Sequence, residues 1–212
     1  MVQGAIPPEI NEKYMALFQE VSYLHETWGI FRQLYASGDD TVDLLNDSAP
    51  GFFRLCQWLL ADDIILSISR LNDPRRTLGK DNLTLEQLVH SIDAGKHPAL
   101  RKEMEKLYAE AKDKCKFAKD HRNKRIAHND LHLKLQGKVR PLPSPTETNI
   151  EDALESIRNV MNAVSRYFHN SEIATVNYYH LVTRLGDGTK IISRLREAEA
   201  FRNQRPEQPD RT

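Results

Sequence analysis

The chain has 212 residues, 40% hydrophobic and 28% charged, which excludes wholesale disorder and leaves room for one well-buried core with a small appendage. Lys plus Arg and Asp plus Glu both total 30, so a globally basic nucleic-acid binder is excluded and any basic surface has to be local. Cys56 and Cys115 have no metal-ligand spacing, "MVQGAIPPEINEK" lacks a secretory pattern, and "LCQWLLADDIILSI" is too short and too acidic to span a bilayer; the expectation is a reduced, cytoplasmic protein with no membrane partner.

The first predicted helix is the clearest. Pro7 and Pro8 suit its start, and Ile10, Tyr14, Leu17, Val21, Leu24, Trp28, Phe31 and Leu34 recur at three- and four-residue steps. It should end near "ASGDD", where Gly38 suits a left-handed cap. So long a helix with one apolar stripe needs a bundle partner of similar length. "DLLNDSAPG" reads as a loop or short turn. A second helix runs from about Gly51 to Asn72, with Phe52, Phe53, Leu55, Cys56, Leu59, Leu60, Ile64, Leu66, Ile68 and Leu71 too widely spread for one stripe. Such a helix is expected at the centre of the bundle. "NDPRRTLGKDN" breaks it at Pro74 as a polar loop, and "TLEQLVHSI" opens with a capping box, Thr84 with Gln87, to give a short third helix ended by Gly95.

Pro98 starts a fourth helix with Leu100, Met104, Leu107, Ala111, Cys115 and Ala118 inward, and this helix runs into "HRNKRIAHND" at residues 121–130. "HLKLQGKVRPLPSPTE" is a short hairpin or an extended crossover. Thr148 and Glu151 cap a fifth long helix, with Ile150, Leu154, Ile157, Met161, Val164 and Phe168 inward. "ATVNYYHLVTRLGDGTKIISRLREAEAF" mixes strand or helix with a short final helix, the "GDG" at 186–188 being a turn, and "RNQRPEQPDRT" reads as a disordered tail. The expected architecture is an all-α bundle of four to five main helices over 1–170, a C-terminal extension packed on it over 171–203, and a tail at 204–212.

Some charged positions fit a plain bundle poorly. Asp63, Ser67 and Arg70 share one face of the second helix, with Asp62 and Ser69 beside them, and ionised groups against a core are costly unless paired. They make either an internal Asp–Arg pair or a polar line facing the basic stretch. Within that stretch, the step from Arg122 to His128 turns through roughly 600° on a continuous helix, so the two side chains diverge. They converge only if the helix ends, kinks or unwinds, or if a second copy supplies the partner. On spacing alone, a solvated basic helix end is the simpler account. His128, His132, Asp130 and His121 make a poor zinc pattern, because Asn129 stands where a metalloprotease needs Glu.

"RNKRIAH", Arg followed by Asn and, after five intervening residues, His, resembles the signature of the HEPN superfamily, in which four to six residues separate the two. "LLNDSAPGFFRLCQWLLADDIILSISRLNDP", "NLTLEQLV" and "DHRNKRIAHND", in that order, are similar to its abortive-infection (AbiU-like) branch, over about residues 8 to 135 and more loosely beyond. The resemblance implies a HEPN-like helical bundle and a metal-independent endoribonuclease, working as a homodimer on RNA without a cofactor, in phage defence or toxin–antitoxin function. Such cleavage uses the ribose 2′-OH as nucleophile. Histidine titrates near neutrality and can move its proton, and arginine stays charged and can hold phosphate oxygens.

The resemblance therefore implies His128 as acid/base and Arg122 as phosphate ligand, with Asn123 orienting and Arg125, Lys124, His121 and Lys119 supplying a local positive field. Asp63, Arg70 and Asp130 are second-tier pocket candidates; Asp130 also stands where HEPN partners of minimal nucleotidyltransferases carry an AMP-accepting Tyr. No aromatic stacking platform lies near the motif. An antitoxin or other regulatory protein is a further partner the resemblance leaves room for. The competing reading is a non-catalytic HEPN module that binds RNA, nucleotide or a partner protein through the same groove.

Overall fold

The apolar stripe of the first helix is the spine of the molecule. In the computed structural model, which describes residues 5–123, 145–169 and 187–204, α1 runs over Pro8–Tyr35 and buries Ile10, Tyr14, Leu17, Val21, Leu24, Trp28 and Leu34 along one face. Helices α2 (Asp39–Ser48) and α3 (Pro50–Leu71) follow, then a two-stranded antiparallel hairpin of β1 (Arg76–Thr77) and β2 (Lys80–Asp81). Next come α4 (Leu85–Ser91), α5 (Pro98–Lys114), α6 (Lys116–His121), α7 (Glu147–His169) and α8 (Gly188–Gln204). The most extensive packing is α5 on α7 and α1 on α3, while α6 lies on α3. The result is an all-α bundle, as the periodicities predict.

One core cluster joins α1, the C-terminal half of α3, α4, α5, α6 and α7. All six inward positions read along α7 are buried, as are Leu100, Met104, Ala111, Cys115 and Ala118 on α5 and α6. A smaller cluster of Leu34, Leu44, Leu45, Phe53 and Ile192 ties α2, the start of α3 and α8 together. Fully burying one such aliphatic side chain stabilises the fold by roughly 1.5–3 kcal/mol.

Several details differ from the sequence reading. "DLLNDSAPG" is largely helix α2, because Thr41, Leu44 and Leu45 at helical spacing close over the second cluster. α3 is not enclosed along its length: Phe52, Leu55, Trp58 and Leu59 are 62%, 51%, 54% and 61% exposed, and its buried residues are Phe53 and most of the stretch from Ile64 to Leu71. The polar loop after it carries the hairpin, a feature too short to show a period. The cap of α7 is Thr146, whose Oγ1 accepts from Asn149 N at 3.1 Å while Asn149 Oδ1 accepts from Thr146 N at 3.1 Å. Glu151 is thereby freed to hold Trp28 Nε1 at 2.7 Å and Arg32 Nη1 at 2.9 Å.

α4 ends at Ser91, before Gly95. Asp187 and Gly188 open α8, which extends for 17 residues rather than forming a short turn and helix. α8 packs on α1 and α2, and Gly188 sits so close to Gln33 and Leu34 that a Cβ there would meet Leu34 Cγ at 3.0 Å. The crossover after the basic stretch, the mixed segment after α7 and the last eight residues lie outside the described residues. Among the described residues, no helix is long and apolar enough to cross a membrane.

Candidate functional site at the end of the third helix

The fourth predicted helix is broken where the site begins. α5 ends at Lys114, Cys115 makes a turn, and α6 restarts for a single short run to His121. The break keeps Cys115 and Ala118 in the core and directs the chain across the end of α3. Burial pushes the Cys115 thiol up to about 12, against hydrogen bonding to Ser156 and Asn72. Cys115 therefore remains a thiol and is a packing residue rather than a nucleophile.

α3 ends by folding back on its own carbonyls. Asn72 N donates to Ser69 O at 3.1 Å, Asp73 N to Arg70 O at 3.2 Å, and Asn72 Nδ2 to Ile68 O at 3.0 Å. Pro74 then forbids any continuation. This leaves the Asp73 carboxylate projecting beside α6, where it accepts from Arg122 Nη1 at 2.8 Å through Oδ1 and at 2.6 Å through Oδ2. The two side chains are 21% and 24% exposed, so the pair is half-shielded from water. Arg122 Nε also donates to Asn123 Oδ1 at 3.3 Å. Two of the three guanidinium nitrogens are therefore held, and Nη2 has no partner among the described residues.

Glu86, on α4, accepts from Arg75 N at 2.6 Å and fixes the chain just beyond Asp73. Tyr108, on α5, is near enough to feel both carboxylates. Burial pushes its phenol up to about 12, and the carboxylates of Glu86 and Asp73 push the same way, so it stays a neutral donor. A guanidinium anchored at Nη1 and Nε, with donors left over, is suited to donate to a phosphate oxygen in a fixed direction. The anchoring carboxylate takes some charge from the site and gives it orientation.

Of the residues singled out in the sequence, Arg122 and Asn123 meet here, and Lys119 is exposed one turn earlier on α6. His121 does not join a phosphate-binding surface, because its ring is packed inside with only 5% exposure. Asp63 and Arg70 do pair, at 3.9 Å, but not inside the bundle: Arg70 is 61% exposed, while Asp63 is 32% exposed with its Oδ2 buried. It is Asp73, not Asp63, that reaches Arg122. Lys124, Arg125, His128 and Asp130 lie outside the described residues, as does His132.

Asp73 is the residue that sequence reasoning passes over. Its local signal is an acid immediately before the proline that ends a helix, and nothing in spacing links it to an arginine 49 positions later. No group of three or more His, Cys, Asp or Glu able to hold a metal ion occurs among the described residues. Hollows among the described residues lie elsewhere: one of about 600 Å³ between α1, α2 and α8, one of about 420 Å³ between α1, α2 and the start of α3, and one of about 400 Å³ beside Trp28, Phe31 and Trp58. None of these is lined by Asp73 or Arg122.

The family model HEPN_AbiU2, described as AbiU2, matches residues 8–190, farther along the chain than the resemblance in residues 8 to 135. No curated protein and no solved structure matches the chain.

Proposed function

From the premise that this chain belongs to the AbiU2 family of HEPN-superfamily abortive-infection proteins, we propose that it is a metal-independent endoribonuclease, with Arg122 as phosphate ligand and His128 as acid/base. The observation that carries the reading is the held guanidinium: Asp73 and Asn123 fix Arg122, and Nη2 has no partner among the described residues. Fixing a donor before substrate arrives removes the reorganisation that a solvated arginine would undergo during reaction.

The chemistry balances without a metal. The ribose 2′-OH attacks phosphorus, its proton passes to a base, and the bond from phosphorus to the 5′ oxygen breaks as that oxygen takes a proton. The products are a 2′,3′-cyclic phosphate and a 5′-OH. Histidine can serve either transfer near neutral pH, and two copies of the motif supply both roles at once. Arg122 stabilises the extra negative charge on the phosphoryl oxygens.

A second copy of this chain is the partner that makes the site complete. Support comes from α3, whose exposed Phe52, Leu55 and Leu59 continue at helical steps through Asp62 and Leu66 to Arg70. The stripe runs along a helix of 22 residues, about 33 Å, toward Asp73. A two-fold axis alongside α3 lets two such stripes meet and brings both Asp73–Arg122 ends to one end of the dimer.

The test is purified protein with single-stranded RNA in EDTA. Wild type is expected to cut and to leave cyclic-phosphate ends, while Arg122→Ala and His128→Ala remain folded and cut at least about 100-fold more slowly. Wild type that binds RNA without cutting it retires the nuclease in favour of a binding module. Leu55→Glu with Leu59→Glu should give a monomer in sedimentation that has lost cleavage; an active wild-type monomer would remove the shared site.

A further inference from the structure

The hairpin that leaves the candidate site carries a feature the fold itself does not repay. Thr77 pairs with Lys80 and Arg76 with Asp81, so only Leu78 and Gly79 make the connection. Both have positive φ, 49° and 80°, the backbone that a two-residue hairpin with the right strand twist demands. Gly79 adopts it freely. For Leu78 it costs about 1–2 kcal/mol, because the Cβ crowds the following carbonyl oxygen. Leu78 is also 99% exposed, so no buried apolar contact offsets that strain.

Everything behind the tip is fixed. Asn82 Nδ2 donates to Pro74 O and to Thr77 Oγ1, each at 2.8 Å, and Asn82 N donates to Arg75 O at 2.8 Å. Arg76 pairs with Asp81 across the strands at 2.9 Å. The guanidinium of Arg75 and the ammonium of Lys80 have no ion-pair partner among the described residues. A rigid arm thus presents an apolar tip flanked by two uncommitted cations.

Its base is the site. Asp73, which grips Arg122, precedes Arg75 by two residues, and the tip is five residues from Asp73, at most about 18 Å along an extended chain. We propose that this hairpin is an RNA-strand arm of the same site, with Leu78 seated against an unpaired base and Arg75 and Lys80 on the phosphates beside it. The proposal rests on the nuclease reading for the identity of the polymer. An unpaired strand fits best, since in-line attack by a 2′-OH needs the nucleotide to leave A-form geometry. A base offers its face to a side chain only when unstacked. Cations supply the sequence-independent part of affinity, and the apolar tip fixes register along the strand.

The test uses the full chain and a short fluorescein-labelled RNA whose riboses are 2′-O-methylated, so that binding is read without cleavage. Leu78→Gly removes the side chain and the strain together. It should weaken binding about five-fold, the worth of a partly buried leucine, with a melting temperature equal to or above wild type. Arg75→Gln with Lys80→Gln should lower the slope of log affinity against log salt by about 1.4. Affinity and salt slope unchanged in both variants overturn the arm, and that result would follow if the hairpin met a protein instead. Cleavage of unmodified RNA separates the two readings. Wild-type cutting with unaltered binding by the hairpin variants removes the arm and spares the nuclease. Hairpin-dependent binding with no cutting removes the nuclease and spares the arm.

Discussion

Asp63 and Arg70 stand on the same helix, two turns apart, and meet at 3.9 Å with the arginine 61% exposed. Asp73 and Arg122 come from different elements, meet at 2.6 Å and are 21–24% exposed. The residue types are identical, and the surroundings make them different devices. On the face of α3 the Arg70 guanidinium keeps most of its water while Asp63 is 32% exposed, and an attraction at 3.9 Å with one exposed partner is screened and largely cancelled by the entropy of holding two side chains. At the junction of α3 and α6 the pair is short and half-shielded, and it locks two elements together. A local pair decorates its helix, whereas a non-local pair positions a group for chemistry.

The sharpest way to break this contrast is to remove each arginine in turn. Arg122→Ala is expected to lower RNA cleavage about 100- to 1,000-fold, the usual effect of deleting a transition-state donor. Arg70→Ala should change it by less than about three-fold, as for an exposed pair. Equal losses in the two variants, measured under single-turnover conditions, would show that Arg122 has no special role.

A histidine extends the contrast from the site edge to the core. His25, on α1, is buried, and burial followed by the nearby Arg158 charge holds its pKa down at about 3. The unfolded chain takes up this proton below about 6.5, and the folded chain does not until about 3. The contribution is therefore present above pH 6.5 and lost as pH falls toward 3. The loss should amount to about 2 kcal/mol by pH 5. Urea melts at pH 7 and pH 5 should show His25→Gln with a pH dependence smaller by about that amount. An unchanged dependence would mean that the ring is protonated in the folded state.

Asp73 gives a smaller and more diagnostic effect. Asp73→Asn keeps shape and one acceptor but removes the charge that holds Nη1. It should cost about 1–2 kcal/mol of stability, the range for a hydrogen bond to a charged group in partial shelter. For a chain of this length that corresponds to roughly 2–8 °C in Tm. Cleavage should fall about ten-fold through misdirection of Arg122, since small displacements of a positioning group are costly. Stability lost with cleavage intact would make the pair a brace between elements and nothing more.

What could be read in the sequence follows the same division. The inward positions of α1, α5 and α7 were legible because a 3.6-residue period is local information. So was the face shared by Asp63 and Arg70, and so was the Thr84 cap, whose Oγ1 accepts from Gln87 N at 3.2 Å. α2 was hidden between Gly38 and Pro50, which look like punctuation on either side of a loop. The exposure of Phe52, Leu55, Trp58 and Leu59 was hidden because apolar residues all round a helix say that something covers them, not that the covering is in the same chain. Arg122 could be named from its motif. Its anchor could not, because only tertiary packing brings position 73 to position 122.

The smallest effect is the most exacting test of the difference between the two pairs. In a double-mutant cycle on Asp63 and Arg70, the coupling energy should lie below about 0.5 kcal/mol and vanish in 1 M salt, where the screening length is about 3 Å. The same cycle on Asp73 and Arg122 should give about 1–2 kcal/mol and keep most of it in salt, because partial burial limits access of counterions. The cycle subtracts the cost of leaving either partner alone, so it reads the interaction itself. Equal couplings would mean that the shorter, more sheltered geometry of the α3–α6 junction adds nothing to the pair. Unequal couplings with equal cleavage in Asp63→Ala and Asp73→Ala would place the orienting role on Asn123, whose Oδ1 already holds the Nε of Arg122.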